Sequence, residues 1–392
     1  MKDASSGKKY SILVVDDDEI LNELMCQFLR SKGFVTHSVY SYLKSFELLQ
    51  APMTFDLIVL DYQLGDGTGL EFLADLNFHN KNNKPPVIMI SSNQDAVLLE
   101  SCFGKGVTDY LIKPVNLSLL ALKAGALINA VAMQNLIAVQ TAELERFKSE
   151  AEREESIAKE IYEYLLRQNS QSVEGVTNWL KSSSSFSGDI ALTKFSPSGD
   201  LFFLLADATG HGLSAAITLM PMVSVFSSMV DKGFHLQPIV TEINKKLIHD
   251  TPGDRFIAAV MIHWRREQNE LDVWNGGMPP VYWVHQGRLL HQFVSQHMAL
   301  GILEEGMFDA GVVSCPAQSV GLILAYSDGL IEEVNDGGVS FSSDQVVAVA
   351  LTNSTEILPS LIVGLEQHTG RKKYRDDVSI CILDAARIFT PD

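Results

Sequence analysis

The sequence predicts two domains of different fold class: an α/β domain with a doubly wound parallel sheet, and an α+β domain that follows a helical linker. In the first third of the chain, short apolar runs alternate with stretches of helical length. Residues 126–168 then contain neither Gly nor Pro. Beyond that segment, strand-like and helical stretches are grouped rather than alternating, which favours an α+β fold. A chain of 392 residues suits two or three such folding units.

Five apolar runs in the N-terminal part predict the strands of the parallel sheet. The runs are Ile12–Val15, Phe34–Val39, Phe55–Leu60, Val87–Ile90 and Val107–Ile112, with helical patterns such as Ile20–Lys32 and Gly69–Asn77 between them. Strands that are apolar throughout are typical of a sheet covered by helices on both faces. In a doubly wound sheet, ligands bind at the carboxyl ends of the strands. The residues that follow each run are therefore the candidate functional residues.

Three aspartates stand at these strand ends. Asp16 and Asp17 follow the first run directly, and Asp61 follows the third. Neighbouring carboxylates repel one another unless a cation lies among them. Hard oxygen ligands of this kind suit Mg²⁺, which proteins hold through one or two carboxylates together with phosphate oxygens. The sequence therefore predicts a magnesium site formed by Asp16, Asp17 and Asp61.

The other strand ends carry a hydroxyl, an aromatic ring and an ammonium group. Ser91 ends the fourth run, Tyr110 lies in the fifth, and Lys113 follows it. The hydroxyl and the ammonium can both grip a phosphoryl group on Asp61. With Gly69 placed eight residues after Asp61 and a Pro after Lys113, residues 10–125 resemble a response-regulator receiver domain.

The resemblance implies a flavodoxin-like fold with a five-stranded parallel sheet. It also implies that Asp61 accepts a phosphoryl group from a sensor histidine kinase or a phosphotransfer protein, while the acidic pair after the first strand binds Mg²⁺. Lys113 would pair with the phosphate, and Ser91 and Tyr110 would relay the change. One departure from the family pattern is Gly65, where the family often has Pro.

The segment without Gly or Pro carries apolar residues at alternating spacings of three and four. They are Ile137, Leu144, Phe147, Ala151, Ala158, Ile161 and Leu165, with Gln140 and Glu154 at the two polar places in the series. This heptad pattern predicts a parallel coiled coil over residues 126–168, and hence a homodimer. The alternative is a single amphipathic helix lying on one of the domains. We favour the coiled coil because the apolar stripe is narrow and its flanks are charged.

A polar, Ser-rich connector is predicted over Gln168–Ser187, and strands and helices are predicted beyond it. The predicted strands are Asp200–Ala206, Phe256–Trp264, Glu270–Trp274, Pro280–His285, Val320–Tyr326 and Val378–Leu383, and the predicted helices are Leu213–Lys232, Leu236–His249 and Ile357–His368. Aspartates stand beside small residues at the edges of these strands: Asp189, Asp207, Asp328, and Asp376 or Asp377. A cluster of this kind is electrostatically unstable without cations. Two divalent metals would neutralise it and clamp both oxygens of an in-line phosphoryl displacement.

Residues 176–386 resemble the type-2C (PPM) metal-dependent protein phosphatases, in the bacterial branch typified by SpoIIE and RsbU. Besides the aspartates, the motifs are GHG at 210–212, NGGMPP at 275–280, LG at 300–301 and SDG at 327–329. The resemblance implies a two-sheet sandwich flanked by helices, serine/threonine phosphatase activity, and two Mn²⁺ or Mg²⁺ ions.

The family's ligands carry over to positions in this sequence. By resemblance, Asp207 would bridge both metals and Ala208 would offer its carbonyl. Asp189 would hold one ion, while Asp328 and Asp376 would hold the other. Asp376 is preferred over Asp377 because the first residue of the doublet is the family ligand.

Three points separate the sequence from a full match to that family. Its usual GGD stands here as Ser187-Gly188-Asp189, and Ala208 replaces the Gly or Val often seen at that position. An arginine that grips the phosphate has no clear place. The candidates are Arg371, Lys373 and Arg375, by proximity to Asp376 only.

Together the two resemblances imply a two-component response regulator whose receiver controls a protein phosphatase. The implied substrate is a phosphorylated anti-sigma-factor antagonist of the STAS type. The alternative is a catalytically silent adaptor that binds a sigma factor or its regulator. Such relatives tend to lose metal aspartates, whereas all four positions are filled here, which favours an active enzyme.

Composition excludes other classes of function. The formal net charge is -18, and nucleic acids and anionic membranes attract basic surfaces instead. Four scattered cysteines without a CxxC pair predict reduced thiols. The N-terminus lacks the apolar core of a signal peptide, and polar residues interrupt Leu117–Val139, the most apolar helical stretch. We therefore expect a cytoplasmic protein with neither a nucleic acid nor a membrane as partner.

Overall fold

The computed structural model describes residues 9–50, 53–79, 84–92, 102–317, 320–352, 356–371 and 374–388. The chain divides into two compact units between Glu150 and Ala151, and each unit is described by itself. The first unit is an α/β domain, the second is an α+β sandwich, and a long helix connects their sequences. The predicted fold classes are confirmed.

The first unit contains a five-stranded parallel sheet in the order β2-β1-β3-β6-β7. Its strands are β1 (Ser11–Val15), β2 (Val35–Val39), β3 (Leu57–Asp61), β6 (Val87–Ser91) and β7 (Asp109–Ile112), and the two-residue strands β4 (Gln63–Leu64) and β5 (Gly67–Thr68) form a separate antiparallel pair. The helices are α1 (Glu19–Ser31), α2 (Tyr42–Gln50), α3 (Gly69–His79) and the first turns of α4 (Leu117–Gln168).

Helices cover both faces of this sheet because its strands are apolar on both sides. Leu13 of β1 lies in a buried cluster with Phe72 of α3. Ile12, the residue before Leu13 in β1, lies in a second cluster with Met25 of α1 and Leu120 of α4. Successive strand residues point to opposite faces, so the two clusters lie on the two sides of the sheet.

Helix α4 is continuous over 52 residues. Leu120, Ala124 and Ile128 are buried in the receiver-like unit, and most of the later residues are exposed. The apolar heptad positions are among them: Ile137 is 55% exposed and Leu144 is 69% exposed. The absence of Gly and Pro from residues 126–168 explains why the helix runs without a break.

Among the described residues, two helices are long and apolar enough, by length and composition, to cross a membrane: α4 and α5 (Leu213–Asp231). Half of the apolar window of α5 is buried inside its own domain. Since core helices of soluble proteins pass the same test, this finding is weak evidence for a membrane span.

The second unit is a sandwich of two five-stranded antiparallel sheets. One sheet has the order β15-β12-β11-β10-β9 and the other has the order β14-β13-β16-β17-β8. The strands are β8 (Val176–Lys181), β9 (Asp189–Phe195), β10 (Leu201–Ala208), β11 (Ile257–Arg265), β12 (Glu270–Gly276), β13 (Val281–His285), β14 (Arg288–Phe293), β15 (Val313–Pro316), β16 (Leu322–Tyr326) and β17 (Val378–Asp384). The other helices are α6 (Leu236–Asp250), α7 (Asp328–Glu332), α8 (Ser343–Thr352), α9 (Ile357–Thr369) and α10 (Ala385–Ile388).

Three apolar layers hold this sandwich together. Residues such as Phe203 and Ile323 fill the space between the sheets. Helices α5 and α6 pack through Phe226 and Ile243 on the outer face of the first sheet. Helices α8 and α9 cover the second sheet in the same way. The predicted two-sheet sandwich flanked by helices is confirmed.

The predicted connector Gln168–Ser187 was wrong in part. Strand β8 lies within it and pairs with β17 at the edge of the second sheet. Its side chains are half-buried or exposed, so the segment lacks the apolar run that marks an inner strand.

Candidate functional sites

Strand order brings three predicted carboxylates of the first unit together. Asp16 and Asp17 follow β1, and Asp61 ends β3, which is its neighbour in the sheet. One ligand oxygen from each lies within 4.8 Å of the others, and no other group of His, Cys, Asp or Glu in the described ranges is as tight. Carboxylate oxygens at this spacing fit one hard divalent cation.

Lys113 joins this carboxylate group from the end of β7. Its Nζ lies 2.9 Å from Oδ2 of Asp61 and 3.3 Å from Oδ2 of Asp16. The backbone N–H of Lys113 donates to the carbonyl of Ser91, which fixes the two strand ends side by side. A pocket of about 250 Å³ opens over Asp61 and is lined by Asp61, Tyr62, Gln63, Ser91, Ser92 and Lys113.

Burial raises the pKa of Asp61, and the negative charge of Asp17 adds to the rise while Lys113 opposes it. Burial likewise raises the pKa of Asp16, with the charge of Asp61 adding to it. A divalent cation would remove this repulsion, so the residues fit the predicted Mg²⁺.

Three neighbouring residues support this pocket: Gly69 and Tyr110, which the sequence singled out, and Asn22, which it did not. The buried Asn22 amide donates to the carbonyls of Val14, Asp16 and Val39, which holds the acidic loop. A Cβ on Gly69 would lie 2.5 Å from the carbonyl of Asp61, so only Gly fits there. Tyr110 is half-buried and packs edge-on against Phe103, with ring centroids 5.9 Å apart.

In the second unit, the four predicted aspartates lie at one end of the sandwich. Asp189 and Asp207 face each other on β9 and β10. Across the sandwich, the N–H of Ser327 donates to the carbonyl of Ser379. That bond sets Asp328, at the start of α7, beside the beginning of β17, and Asp376 lies just before that strand.

The pKa values show that these side chains share one environment. Burial raises the pKa of Asp207 to about 10, with the charges of Asp189, Asp328 and Asp376 and a hydrogen bond to Asp328 adding to the rise. Burial also raises the pKa of Asp189 to about 7, although hydrogen bonds from Ser379 and Ser327 oppose it. The aspartates therefore lie together rather than in separate parts of the fold.

This cluster fits divalent cations. Oδ1 of Asp189 is buried without a hydrogen-bond partner in the described part of the chain, and an ion would supply one. No three of the four bring ligand oxygens within 4.8 Å of one another, as Asp16, Asp17 and Asp61 do.

Asp377 and Asp376 differ in burial and in hydrogen bonding. It is buried, and its carboxylate accepts hydrogen bonds from Ser182, Ser183, Ser187 and Gly188. Asp376 is exposed at the carboxylate cluster. The doublet thus has one residue that holds the 182–188 segment and one that faces the site, which supports the preference for Asp376.

Backbone packing brings Gly188 and Ala208 together in this site. The N–H of Ala208 donates to the carbonyl of Gly188 at 3.0 Å. A Cβ on Gly188 would lie 3.2 Å from the carbonyl oxygen of Ala208 and 3.1 Å from that of Gly210. The predicted carbonyl ligand of Ala208 is therefore close to the strand that carries Asp189.

Two of the three predicted phosphate-binding candidates lie in the described ranges of the chain. Arg371 donates to the carbonyl of Val334, Arg375 is exposed, and Lys373 lies outside the described residues. Arg255, which the sequence did not single out, donates instead to the carbonyl of Thr209 beside the cluster.

The end of helix α4 contacts the segment before Asp189. The hydroxyl of Tyr162 donates to the carbonyl of Ser187 at 3.3 Å, and its ring packs edge-on against Phe186. Burial raises the pKa of Tyr162, with the charges of Asp377 and Asp189 adding to the rise. The last turns of the helix are therefore in direct contact with the loop that leads to the carboxylates.

Comparison with known proteins gives a family for each part of the chain. Residues 12–124 match the response regulator receiver domain, and residues 197–386 match the family Stage II sporulation protein E (SpoIIE). The two-component response regulator ORR11 of Oryza sativa is 32% identical over 109 residues, which cover 28% of this chain and 74% of that protein. A cyclic di-GMP phosphodiesterase of Thermotoga maritima is 31% identical over 113 residues, 29% of each chain.

Among solved structures, the SiaA-PP2C domain of Pseudomonas aeruginosa is similar, with a TM-score of 0.52 and 16% identity. The similarity covers 60% of this chain and 98% of that one, and at this identity it shows the fold alone. The chain belongs to the response regulators and carries a receiver domain followed by a SpoIIE-type PP2C domain. The family resemblances found in the sequence are confirmed.

Proposed function

We propose that phosphorylation of Asp61 controls a metal-dependent protein serine/threonine phosphatase in the C-terminal domain. The observation that carries this proposal is the convergence of Asp189, Asp207, Asp328 and Asp376. Buried carboxylates with pKa values raised to about 7 and about 10 are unstable as anions unless cations balance them.

Two Mn²⁺ or Mg²⁺ ions would be held by these residues, with Asp207 between them and the Ala208 carbonyl as a further ligand. Asp189 would hold one ion, and Asp328 and Asp376 the other. When bound, the ions would stabilise the charge on the phosphoryl group and activate a water molecule. The protein's own part is to orient the ligands: Ser379 fixes one oxygen of Asp189, and Asp377 holds the loop that leads to it.

In the receiver, Asp61 would be the phosphoacceptor and Asp16 and Asp17 would hold Mg²⁺ with it. Lys113, already 2.9 Å from Asp61, would pair with the phosphate. Ser91 and Tyr110 would relay the change. A sensor histidine kinase or a phosphotransfer protein would supply the phosphoryl group.

The substrate would be a small phosphoprotein, by family resemblance a STAS-type anti-sigma-factor antagonist or another sigma-factor regulator. The strongly acidic charge of the chain, -18, favours a protein partner over nucleic acid and over an anionic membrane. It fits a protein of the cytoplasm.

Helix α4 would carry the signal. We propose domains at 10–125 and 176–386, joined by a coiled coil over 126–168 that forms a homodimer. Exposed apolar side chains at its heptad positions support pairing with a second copy. A change of pairing would alter the contact between Tyr162 and Ser187, and so the loop before Asp189.

The decisive experiment is hydrolysis of a phosphoserine protein by the full chain with Mn²⁺ or Mg²⁺. The chain would be assayed unphosphorylated, and phosphorylated by a small phosphodonor. We expect turnover that depends on the metal and on the state of Asp61. Absence of turnover in both states would eliminate the phosphatase proposal.

A further inference from the structure

Arg255 lies just before strand β11 and beside the loop that follows Asp207. Strands β10 and β11 pair Asp207 with Ala258 and Ala208 with Ile257. The same pairing continues beyond the strands, since Thr209 N–H donates to the carbonyl of Phe256. Arg255 is the next residue along, and its Nη1 donates to the carbonyl of Thr209 at 3.2 Å.

Backbone contacts hold this guanidinium in place. A Cβ on Gly210 would lie 3.2 Å from Nη1 of Arg255, so the glycine leaves room for the side chain. The Arg255 N–H donates to the carbonyl of Pro252, which fixes the turn that precedes β11. The side chain is half-buried and therefore has fewer conformations to lose on binding a ligand.

The charge of Arg255 has no anionic partner in the described ranges of the chain. No carboxylate there forms an ion pair with it, and Thr209 is the one hydrogen-bond acceptor of its guanidinium. Arg265, at the far end of β11, shows the contrast, because its Nε lies 2.9 Å from Asp272 and it also pairs with Glu270. A guanidinium has five N–H donors, so Arg255 has donors to spare beside the carboxylate cluster.

We propose that Arg255 binds the phosphoryl group of the substrate at the rim of the metal site. This inference rests on the proposed phosphatase function and adds a residue that determines substrate affinity. The fork of a guanidinium matches two phosphate oxygens, and charged hydrogen bonds of this kind are strong.

The test uses the full chain with Mn²⁺, a phosphoserine peptide as substrate and inorganic phosphate as inhibitor. Arg255→Gln removes the charge and keeps a group that can donate to Thr209, and Arg255→Lys keeps the charge without the fork. Arg265→Lys is the matched control at the opposite end of β11. For each variant, KM, kcat, the inhibition constant of phosphate and the Mn²⁺ concentration for half-maximal activity are measured.

We expect Arg255→Gln to raise KM and the phosphate inhibition constant by about ten- to hundredfold, with a smaller rise for Arg255→Lys. The Mn²⁺ requirement should stay as in the wild type, and Arg265→Lys should change neither constant. An unchanged KM and inhibition constant would overturn the inference. So would a changed Mn²⁺ requirement with unchanged phosphate affinity, which would mean that Arg255 only supports the metal loop.

The failure of this inference is distinguishable from failure of the proposed function. If the wild type does not hydrolyse the peptide, the phosphatase proposal fails. Calorimetry of inorganic phosphate binding to the Mn²⁺-loaded chain then decides the role of Arg255. Weaker binding by Arg255→Gln supports the inference, and equal binding overturns it. If Arg255→Gln does not fold, the same comparison is made with Arg255→Lys.

Discussion

The hydroxyl of Ser379 donates a 2.6 Å hydrogen bond to Oδ2 of Asp189, although 190 residues separate them in the chain. Ser379 belongs to β17 of one sheet and Asp189 to β9 of the other. The second sheet therefore fixes the orientation of a carboxylate on the first. This bond also opposes the rise in the pKa of Asp189, since it favours the anion.

Removing that bond should weaken the proposed metal site without unfolding the domain. We expect Ser379→Ala to lower the apparent Mn²⁺ affinity by about ten- to hundredfold, as losses of outer ligand contacts do. Titration of phosphatase activity with Mn²⁺ measures this. Ser314→Ala is a matched control, because Ser314 also donates to an aspartate, Asp272, remote from the cluster in the strand order. Equal Mn²⁺ requirements for the two variants would contradict the prediction.

Metal binding should depend on pH through Asp189 and Asp207. Both have raised pKa values, about 7 and about 10, so without metal they stabilise the fold when protonated. That stability is lost as pH rises through these values. Mn²⁺ binds the anions and competes with the protons, so its apparent affinity should fall by about tenfold for each unit by which the pH is lowered, for each proton displaced. Thermal melts with and without Mn²⁺ should give a larger rise in Tm at pH 8 than at pH 6. A rise independent of pH would count against the cluster as the binding site.

Asp207→Asn separates an enzyme from a silent adaptor. Asp207 lies at the centre of the cluster, so its loss should abolish Mn²⁺-dependent hydrolysis and, with it, the biological output. The fold should survive, because the buried carboxyl is already close to neutral without metal. Activity on a phosphoserine protein and complementation of a deletion strain measure the two effects. Full complementation by the inactive variant would favour the adaptor hypothesis.

A break in helix α4 should uncouple the two domains. Proline within a helix costs about 3 kcal/mol and interrupts its hydrogen bonds. We expect Phe147→Pro to keep Mn²⁺-dependent activity but to remove its dependence on phosphorylation of Asp61. Glu143→Ala is the control, since it removes an exposed side chain outside the heptad series and keeps the helix. Regulation that survives the proline would show that the helix is only a tether.

Gly329 should tolerate no side chain. A Cβ there would lie 2.0 Å from the carbonyl oxygen of Asp377, so Gly329→Ala must displace the backbone beside the cluster. Overpacking of this kind costs about 1–3 kcal/mol, which chemical denaturation would detect as a lower free energy of unfolding. At Gly306 no atom lies within 4 Å of the added Cβ, and Gly306→Ala should leave stability unchanged. An unchanged free energy of unfolding for Gly329→Ala would contradict the close packing of Gly329 against Asp377.

The sequence predicted most of the fold because its strongest patterns are local. The apolar run before Asp61 and the segment without Gly or Pro before Gln168 specify their elements without distant partners. The aspartates could be predicted at strand edges for the same reason. Strand β8 could not be predicted, because its side chains are half-buried or exposed and it forms only by pairing with the distant strand β17.

The supports of the site were beyond prediction for a related reason. Ser379 and Asp377 act on residues about half the chain away, and their contacts depend on how two sheets stack. Asn22 likewise serves the loop of Asp16 from a helix.

The neighbouring residues Asp376 and Asp377 have different contacts, and this difference bears on how such proteins can diversify. Asp376 belongs to the carboxylate cluster, and Asp377 accepts hydrogen bonds from Ser183 and Gly188 in the segment that leads to Asp189. A different sensory domain could therefore be attached upstream, and it would need to affect only the hydrogen bonds that Asp377 accepts. The carboxylate cluster and the regulatory domain can then change independently over evolution, because each depends on a different one of the two adjacent aspartates.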